Sequence, residues 1–227
     1  MFNGLLPILV VAAVFHPAVL DDPAGASQAF ARYLANVRRA PASGPETIEI
    51  EASLPKLKKQ GTLRAIRRMN PSGELEYQIL STGGDRMVRH EVIERYLNAQ
   101  IAAARIPAAS VAITPANYEF RYKGAVRDGE SLAYAFQIKP RKKRVGLMNG
   151  ELWLDAETGL AVRQAGRLVK SPSFFVRSIA ITRETVLTGR FARMLLTHLS
   201  VATRLVGPAD LTVTETPMEV VDANLVP

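Results

Sequence analysis

The sequence contains no cysteine, three histidines and a single tryptophan among its 227 residues. Without cysteine there can be no disulfide bond, thiolate metal site, cysteine nucleophile or lipid-modified N-terminal cysteine. His16, His90 and His198 do not stand at the spacing with which histidine pairs bind metal ions. There is no repeat, and 48% apolar residues are too many for a disordered chain. We therefore predict a folded protein that is not an enzyme and holds no cofactor or metal.

Residues 5–20 form an apolar run that two prolines interrupt. A helix that crosses a bilayer needs about 20 apolar residues, so this run is more typical of a secretory signal peptide. Ala24-Gly25-Ala26 is a small-x-small cleavage site before Ser27. Residues 1–4 carry no lysine or arginine, which leaves an uncleaved membrane anchor as the alternative.

The predicted organisation is a signal peptide at 1–26 and a single domain at 27–227, exported to the periplasm. Cleavage after Ala26 removes Asp21 and Asp22 but no basic residue, so the formal net charge rises from +8 to +10. A basic exported protein has anionic surfaces around it, including lipid head groups. Nucleic acid is the other usual partner of such charge, but an exported chain rarely meets it, and we predict no nucleic-acid partner.

The first part of the domain reads as a helix and the rest mainly as strands. Ser27 is the expected N-cap of a helix that ends near Pro41. Apolar and polar residues then alternate at 48–54, 75–79, 118–123 and 132–138, which is the pattern of half-buried strands. Further strands are expected at 160–169, 176–187, 191–205 and 211–216. Turn residues between the runs, such as Asn70-Pro71-Ser72-Gly73, Asp128-Gly129 and Gly207-Pro208, favour hairpins and hence an antiparallel sheet.

One amphipathic helix interrupts these strands. Residues 86–104 contain no proline or glycine, and their apolar side chains fall on one broad face of a helix. The predicted fold class is therefore mainly β with helices (α+β), a strongly curved antiparallel sheet of about nine or ten strands with a helix on its apolar side. Either the helix seals a filled core, or helix and sheet enclose a ligand cavity.

Several segments resemble periplasmic lipoprotein carriers of the LolA and LolB type. They are Asn117-Tyr118-Glu119-Phe120, Phe136-Gln137-Ile138-Lys139-Pro140, the hairpin from Glu151 through Trp153 to Gly159, Ser171-Pro172-Ser173-Phe174-Phe175 and Thr203-Arg204-Leu205-Val206-Gly207. The resemblance implies an incomplete barrel with a helical lid over a hydrophobic cavity. It further implies binding of lipoprotein acyl chains or other lipids, and transport partners at the inner or outer membrane. Because this chain has no cysteine, it cannot be a lipid-anchored acceptor of the LolB kind.

The hypothesis assigns the cavity to apolar side chains of the helix and of the strands, without charged groups. The predicted lining is Val88, Val92, Tyr96, Leu97 and Ile101 on the lid, with Ile48, Ile50, Tyr77, Ile79, Phe120, Tyr134 and Phe136 on the sheet. Such a cavity is suited to carrying acyl chains of lipoproteins or lipids towards the outer membrane. A lipid-sensing or envelope-stress-sensing module on the same fold is the alternative function.

Two other features allow two readings. The basic segment Lys139-Pro140-Arg141-Lys142-Lys143-Arg144 is either a solvated loop that protects a strand edge or a docking site for anionic head groups or an acidic partner. His198 and Ser200 share one face of a strand, which leaves an enzyme that hydrolyses esters through Ser200 as a further alternative, but no acidic partner or nucleophile motif accompanies them in the sequence.

Overall fold

The computed structural model describes residues 19–39, 44–128, 131–171, 176–188, 191–204 and 207–218. The strands are β1 Val19–Leu20, β2 Glu46–Leu54, β3 Lys59–Met69, β4 Leu75–Gly84, β5 Tyr118–Asp128, β6 Ser131–Pro140, β7 Met148–Asp155, β8 Ala161–Leu168, β9 Val176–Thr188, β10 Phe191–Thr203 and β11 Pro208–Pro217. The helices are α1 Pro23–Arg39, α2 Arg86–Val88, a π-helical turn Arg89–Glu94, α3 Arg95–Ala104 and α4 Ala108–Val111, with a 3-10 turn at Pro55–Leu57.

All eleven strands belong to one antiparallel sheet in the order β1-β5-β6-β7-β8-β9-β10-β11-β2-β3-β4. Most neighbours are joined by hairpins, but β2 pairs with β11, so an early strand lies beside the last one. The strands β1 and β4 are edges, and the sheet does not close on itself. The result is an incomplete barrel with helices on it, which confirms the predicted fold class.

Both long helices pack on the same face of the sheet, which we call the covered face. Cross-strand registers link Leu152 on β7 to Phe136 on β6, and Val213 on β11 to Ile50 on β2. The registers in between place Gln164, Arg183 and Thr197 in the same row, so Leu152 and Ile50 lie on one face of the sheet, which is apolar at both flanks and carries polar side chains on the middle strands. Trp153, out of phase with Leu152, lies on the opposite face under the Arg163 guanidinium.

The core consists of two hydrophobic clusters side by side on the covered face. The first lies between β2, β3, β9, β10 and β11 and the helix at 86–104. The second lies between β5, β6 and β7 and α1. Leu168 on β8 packs against both clusters, so the two cores meet at the middle of the sheet.

Several local predictions can be compared with the structure. The first helix begins at Pro23, ahead of the Ser27 cap that the sequence suggested, because Asp22 accepts a hydrogen bond from the Gly25 N–H instead. The helix predicted at 86–104 is confirmed, with a π-helical turn inside it. No prediction covered β3, in which Ile66-Arg67-Arg68-Met69 breaks the clean alternation.

Two of the turns contain a glycine at the position where the backbone adopts a left-handed conformation. Gly73 has φ 78° after Pro71, and its N–H donates to the Asn70 carbonyl. Gly159 has φ 68° in the loop that the Asp155 side chain caps through the Thr158 N–H. Gly129, residues 172–175, 205 and 206, and most of the predicted signal peptide, at 1–18, lie outside the described residues. The cleavage site after Ala26 and the boundary at residue 27 stay predictions.

Candidate functional site

The candidate site is the covered face under residues 86–104, which we call the covering helix. Asp85 caps its start by accepting hydrogen bonds from the N–H groups of Met87 at 2.8 Å and Val88 at 3.4 Å. The Lys59 ammonium lies 3.1 Å from the same carboxylate and, as the largest cause, lowers the pKa of Asp85. The helix then runs across β2 and β3 with its apolar face towards the sheet.

The predicted cavity residues divide between the two clusters. Seven of the twelve share the first cluster and lie beneath or on the covering helix: Ile48, Ile50, Tyr77, Val88, Val92, Tyr96 and Leu97. Phe120, Tyr134 and Phe136 belong instead to the second cluster, under α1, where the Phe30 ring meets Phe120 edge-on and lies tilted against Phe136. Ile101 is half-buried on the covering helix, and Ile79 is 48% exposed on the edge strand β4. The residues predicted to line one cavity therefore lie under two helices, not one.

The covering helix is attached to the sheet mainly by side-chain packing. Its buried residues include Val88, Val92, Ile93 and Leu97. Its polar ties lie near its ends: the cap at Asp85, a 3.1 Å hydrogen bond from Arg89 to Thr82, and a 3.7 Å ion pair of Arg105 with Glu74. A helix held in this way can separate from the sheet without breaking a buried hydrogen-bond network.

The first helix, α1, is attached differently. Arg32 donates to the Ala156 carbonyl, Tyr33 to the Ile113 carbonyl and Asn36 to the Thr158 carbonyl, all at 2.9–3.0 Å. The Tyr134 hydroxyl donates to Asp22 at 2.5 Å, which lowers the pKa of that carboxyl and raises the pKa of Tyr134 to about 12. These side-chain hydrogen bonds along its length hold α1 in place.

A charged cluster lies on the covered face, where the hypothesis expected none. Arg67 on β3 donates to both carboxylate oxygens of Glu215 on β11, at 3.1 and 3.3 Å, and also binds Glu46 on β2. Glu215 is 8% exposed. The residues Glu46 and Glu215 are in phase with the apolar positions of their strands, and this is the signal by which the sequence could have shown the cluster.

Two tyrosines complete this charged cluster. Burial raises the pKa of Tyr77 and of Tyr96, and the Glu215 charge adds to both shifts. The pKa of Glu215 is raised too, first by burial and then by the charge of Glu46, against the opposing effect of Arg67. The Tyr77 hydroxyl is buried and makes no hydrogen bond within the part of the chain that the structure describes. Since Tyr96 belongs to α3, the covering helix borders this cluster.

The side chains that face each other between the covering helix and the sheet are buried in this conformation: Ile48, Ile50, Val88, Val92 and Leu97 are each at most 8% exposed. Two open depressions of the described surface are lined by other residues than those predicted for the cavity. One, of about 540 Å³, lies at the start of the covering helix between Lys59 and Glu91. The other, of about 270 Å³, lies over β9, β10 and β11. An acyl chain would enter the site only if the covering helix moved.

The second depression contains the polar residues that sequence analysis had paired. His198 and Ser200 point to one face of β10, and the register places Asp210 opposite Ser200 and Thr212 opposite His198. The Nδ1 atom of His198 lies 3.1 Å from the Thr212 hydroxyl, so this nitrogen faces a threonine and not a carboxylate. Within the described ranges, no three histidine, aspartate or glutamate side chains converge where a metal ion could sit.

No family model matches this chain, and no curated protein matches it. The fold is similar to that of a LolA superfamily protein. That protein, from Nitrosomonas europaea, is 11% identical, with 86% of this chain and 94% of that chain covered and a TM-score of 0.38. The crystal structure of MucB is 14% identical, with 83% and 93% covered and a TM-score of 0.30. At these identities the likeness concerns the fold alone.

Among the described residues, no helix is both long enough and apolar enough to span a bilayer.

Proposed function

We propose that the protein is a non-enzymatic carrier that binds acyl chains of lipoproteins or other lipids between the covering helix and the sheet. Its place of action is the periplasm, and its direction of transport is towards the outer membrane. The observation that carries the proposal is the covering helix itself: a broad apolar face that lies on an apolar sheet and is tied to it mainly at its ends.

The energetics of such a carrier follow from the transfer of hydrocarbon out of water. Each CH₂ group that leaves water is worth about 0.8 kcal/mol, so a sixteen-carbon chain represents at most about 12 kcal/mol. Lifting the helix exposes Val88, Val92 and Leu97, and a bound acyl chain would cover both these side chains and the sheet below. A bound acyl chain therefore offsets the free energy that is needed to lift the helix from the sheet. When the helix returns to the sheet it covers the same apolar surface without cargo, and this favours release of the acyl chain.

The test is lipid retention after purification without detergent. Native mass spectrometry should show the wild-type chain with lipid bound, or with an added fluorescent fatty acid bound once endogenous lipid is removed. Val92→Glu places a charge on the buried face of the covering helix, and we expect it to reduce binding at least about tenfold, since a buried charge is costly. Strand content by circular dichroism should stay unchanged.

Asn98→Glu is the matched control, because Asn98 is exposed on the same helix. It adds the same charge and should leave binding intact. The proposal is wrong if the wild-type chain binds neither lipid nor probe, or if Val92→Glu binds as well as Asn98→Glu does.

A further inference from the structure

The two ends of the strands differ in charge. The antiparallel registers place the β6–β7 connection, the start of β9, the 3-10 turn between β2 and β3 and the start of the covering helix at one end of the sheet. We call this end the basic rim. The opposite end carries the hairpin with Glu74 and Glu76, which form ion pairs with Arg105 and Arg68, and the hairpin with Asp155 and Glu157.

The β6–β7 connection is the most basic part of the rim. Lys139, Arg141, Lys142, Lys143 and Arg144 are all exposed. Arg141 binds the Pro115 carbonyl at 2.9 Å and lies 3.5 Å from Glu119. The other four form no ion pair with any described residue, whereas Arg67 and Arg163 elsewhere in the sheet do. The excess positive charge of the loop is therefore not neutralised within the described protein.

Buried side chains and backbone hydrogen bonds at the ends of the β6–β7 connection hold it in place. Leu147 and Met148 are buried in the second cluster, and the Met148 N–H donates to the Tyr118 hydroxyl. The Arg141 N–H donates to the Asn117 carbonyl, and the Leu147 N–H to the Arg144 carbonyl. A fixed loop presents its cations together and loses less conformational entropy on binding than a mobile one does.

Positive charge continues along the rim beyond this loop. Lys170 and Arg177 are exposed on either side of the β8–β9 connection, and Lys56 and Lys58 are exposed on the turn after β2. The β7 and β2 strands lie five strand spacings apart in the sheet order, or about 24 Å along its arc at about 4.8 Å per strand. The charge is therefore spread over an extended surface instead of concentrated in one pocket.

Apolar side chains are mixed with the cations at one part of this rim. Leu57, between Lys56 and Lys58, is 45% exposed, and Met87, beside Arg86, is 41% exposed. Basic residues interspersed with exposed apolar ones are typical of surfaces that lie in a membrane interface. The β6–β7 connection has no aromatic residue, unlike sites that stack nucleic-acid bases.

We propose that the basic rim docks on the surface of a bilayer that contains anionic phospholipids. Head-group charge attracts a spread of lysines and arginines without any shaped groove, and Leu57 and Met87 add apolar contact with the interface. Docking in this way brings the start of the covering helix to the membrane. The inference concerns the rim only and does not depend on acyl-chain binding under the helix.

The experiment is vesicle co-sedimentation with the chain as recovered from its host without detergent. Vesicles of phosphatidylglycerol with phosphatidylethanolamine should bind it, vesicles of phosphatidylcholine should not, and 0.5 M salt should release it, because salt screens exposed charges. In the triple variant Lys142→Gln, Lys143→Gln and Arg144→Gln, affinity should fall about 100-fold, since each cation near the surface contributes about fivefold.

A second triple variant separates the rim from net charge. Arg121, Lys123 and Arg127 are exposed on β5 outside the β6–β7 connection, and their replacement by glutamine changes the net charge equally. The affinity of this variant for anionic vesicles should fall less than about threefold. All variants share one N-terminus, so any contribution of that segment cancels in the comparison. Thermal unfolding checks that both triple variants are folded. The single substitution Leu57→Asp is a further test, and we expect it to reduce binding to anionic vesicles.

Three outcomes would overturn membrane docking. The first is no binding of the wild-type chain to anionic vesicles, and the second is equal loss in the two triple variants. In the third, polyglutamate at matched charge concentration displaces the chain from vesicles and binds it more strongly than the vesicles do, through the same three residues. An acidic protein partner would then account for the positive charge of the rim.

Discussion

Arg67 holds two carboxylates together on the otherwise apolar covered face. The side chains of Arg67 and Glu215 are 19% and 10% exposed, so both charges are largely removed from water. Breaking a buried ion pair from one side costs about 3 kcal/mol or more, because the remaining charge stays buried without compensation. Here removal of the cation would leave two such charges, and removal of one carboxylate would leave a complete pair of Arg67 with Glu46.

This asymmetry predicts different effects of two single substitutions. Arg67→Met should lower the free energy of unfolding by about 3 kcal/mol, and Glu215→Gln by less than about 1 kcal/mol. Urea unfolding of both variants and of the double variant measures the difference. Equal destabilisation by the two single substitutions would contradict it.

The raised pKa of Glu215 predicts a pH dependence with a definite sign. Between the ordinary value of 4.5 and the raised value in the folded state, the native protein holds the proton more strongly than the unfolded chain does. The contribution of Glu215 to stability therefore falls as pH rises through that interval. Urea unfolding from pH 4 to 8 gives the free energy of unfolding of wild type and of Glu215→Gln. The value for wild type minus the value for Glu215→Gln should fall as pH rises through this interval. A difference that does not vary with pH would show that Glu215 does not titrate there.

At the scale of elements, α1 depends on residues ahead of its predicted start. Asp22 bonds to the Gly25 N–H and to the Tyr134 hydroxyl, and Tyr122 in turn bonds to the Asp22 backbone. Ala26 is 2% exposed in the second cluster. The first turn of α1 is therefore part of the core.

We predict that a chain beginning at Ser27 is less stable than one beginning at Val19. Loss of the cap and of the packed first turn should lower Tm by roughly 5 °C, given the usual relation between stability and Tm for a domain of this size. Differential scanning fluorimetry of the two chains is the measurement. Tyr134→Phe in the longer chain is the control that removes one of these contacts alone. Identical Tm values for the two chains would show that residues 19–26 add nothing to the fold.

The covering helix differs from α1 by its π-helical turn at Arg89–Glu94. Such turns are often found at functional positions in helices. Here the turn separates the capped, deeply buried start of the helix, which includes Val88, from α3, in which only Leu97 is fully buried. The helix is thus less firmly packed towards its C-terminal end.

For the whole molecule, the two helices cover one sheet with unequal firmness. Hydrogen bonds to loops at both β5 and β7 hold α1, whereas packing holds the covering helix. Local opening has a low free energy where few buried contacts and hydrogen bonds must break. Opening of the covering helix is therefore expected to begin at α3, where Leu97 is the buried residue, and not at its start, which buries Val88, Val92 and Ile93.

Native-state hydrogen exchange measures this difference directly. Amides of α3 should exchange at least about tenfold faster than the amides of α1, and the central strands should be slowest. Added fatty acid should slow α3 and leave α1 unchanged if cargo fills the site below the covering helix. Equal protection of α1 and α3 would contradict the assignment of a mobile cover.

The sequence alone determined many of the local elements and which of their side chains share a face, although it did not show β3 or the start of α1. Alternation in β2 and β6, the turn at Gly73 and the helical spacing at 86–104 depend on neighbours within a few residues, so they can be read directly. Only the tertiary structure decided which strands meet. The pairing of β2 with β11 brings Arg67 to Glu215, 148 residues away. The packing of α1 on β5 and β6 places Phe120 and Phe136 under α1 instead of the covering helix. Alternation specifies the face of a strand but not its partner, and partners are selected by the simultaneous packing of distant segments.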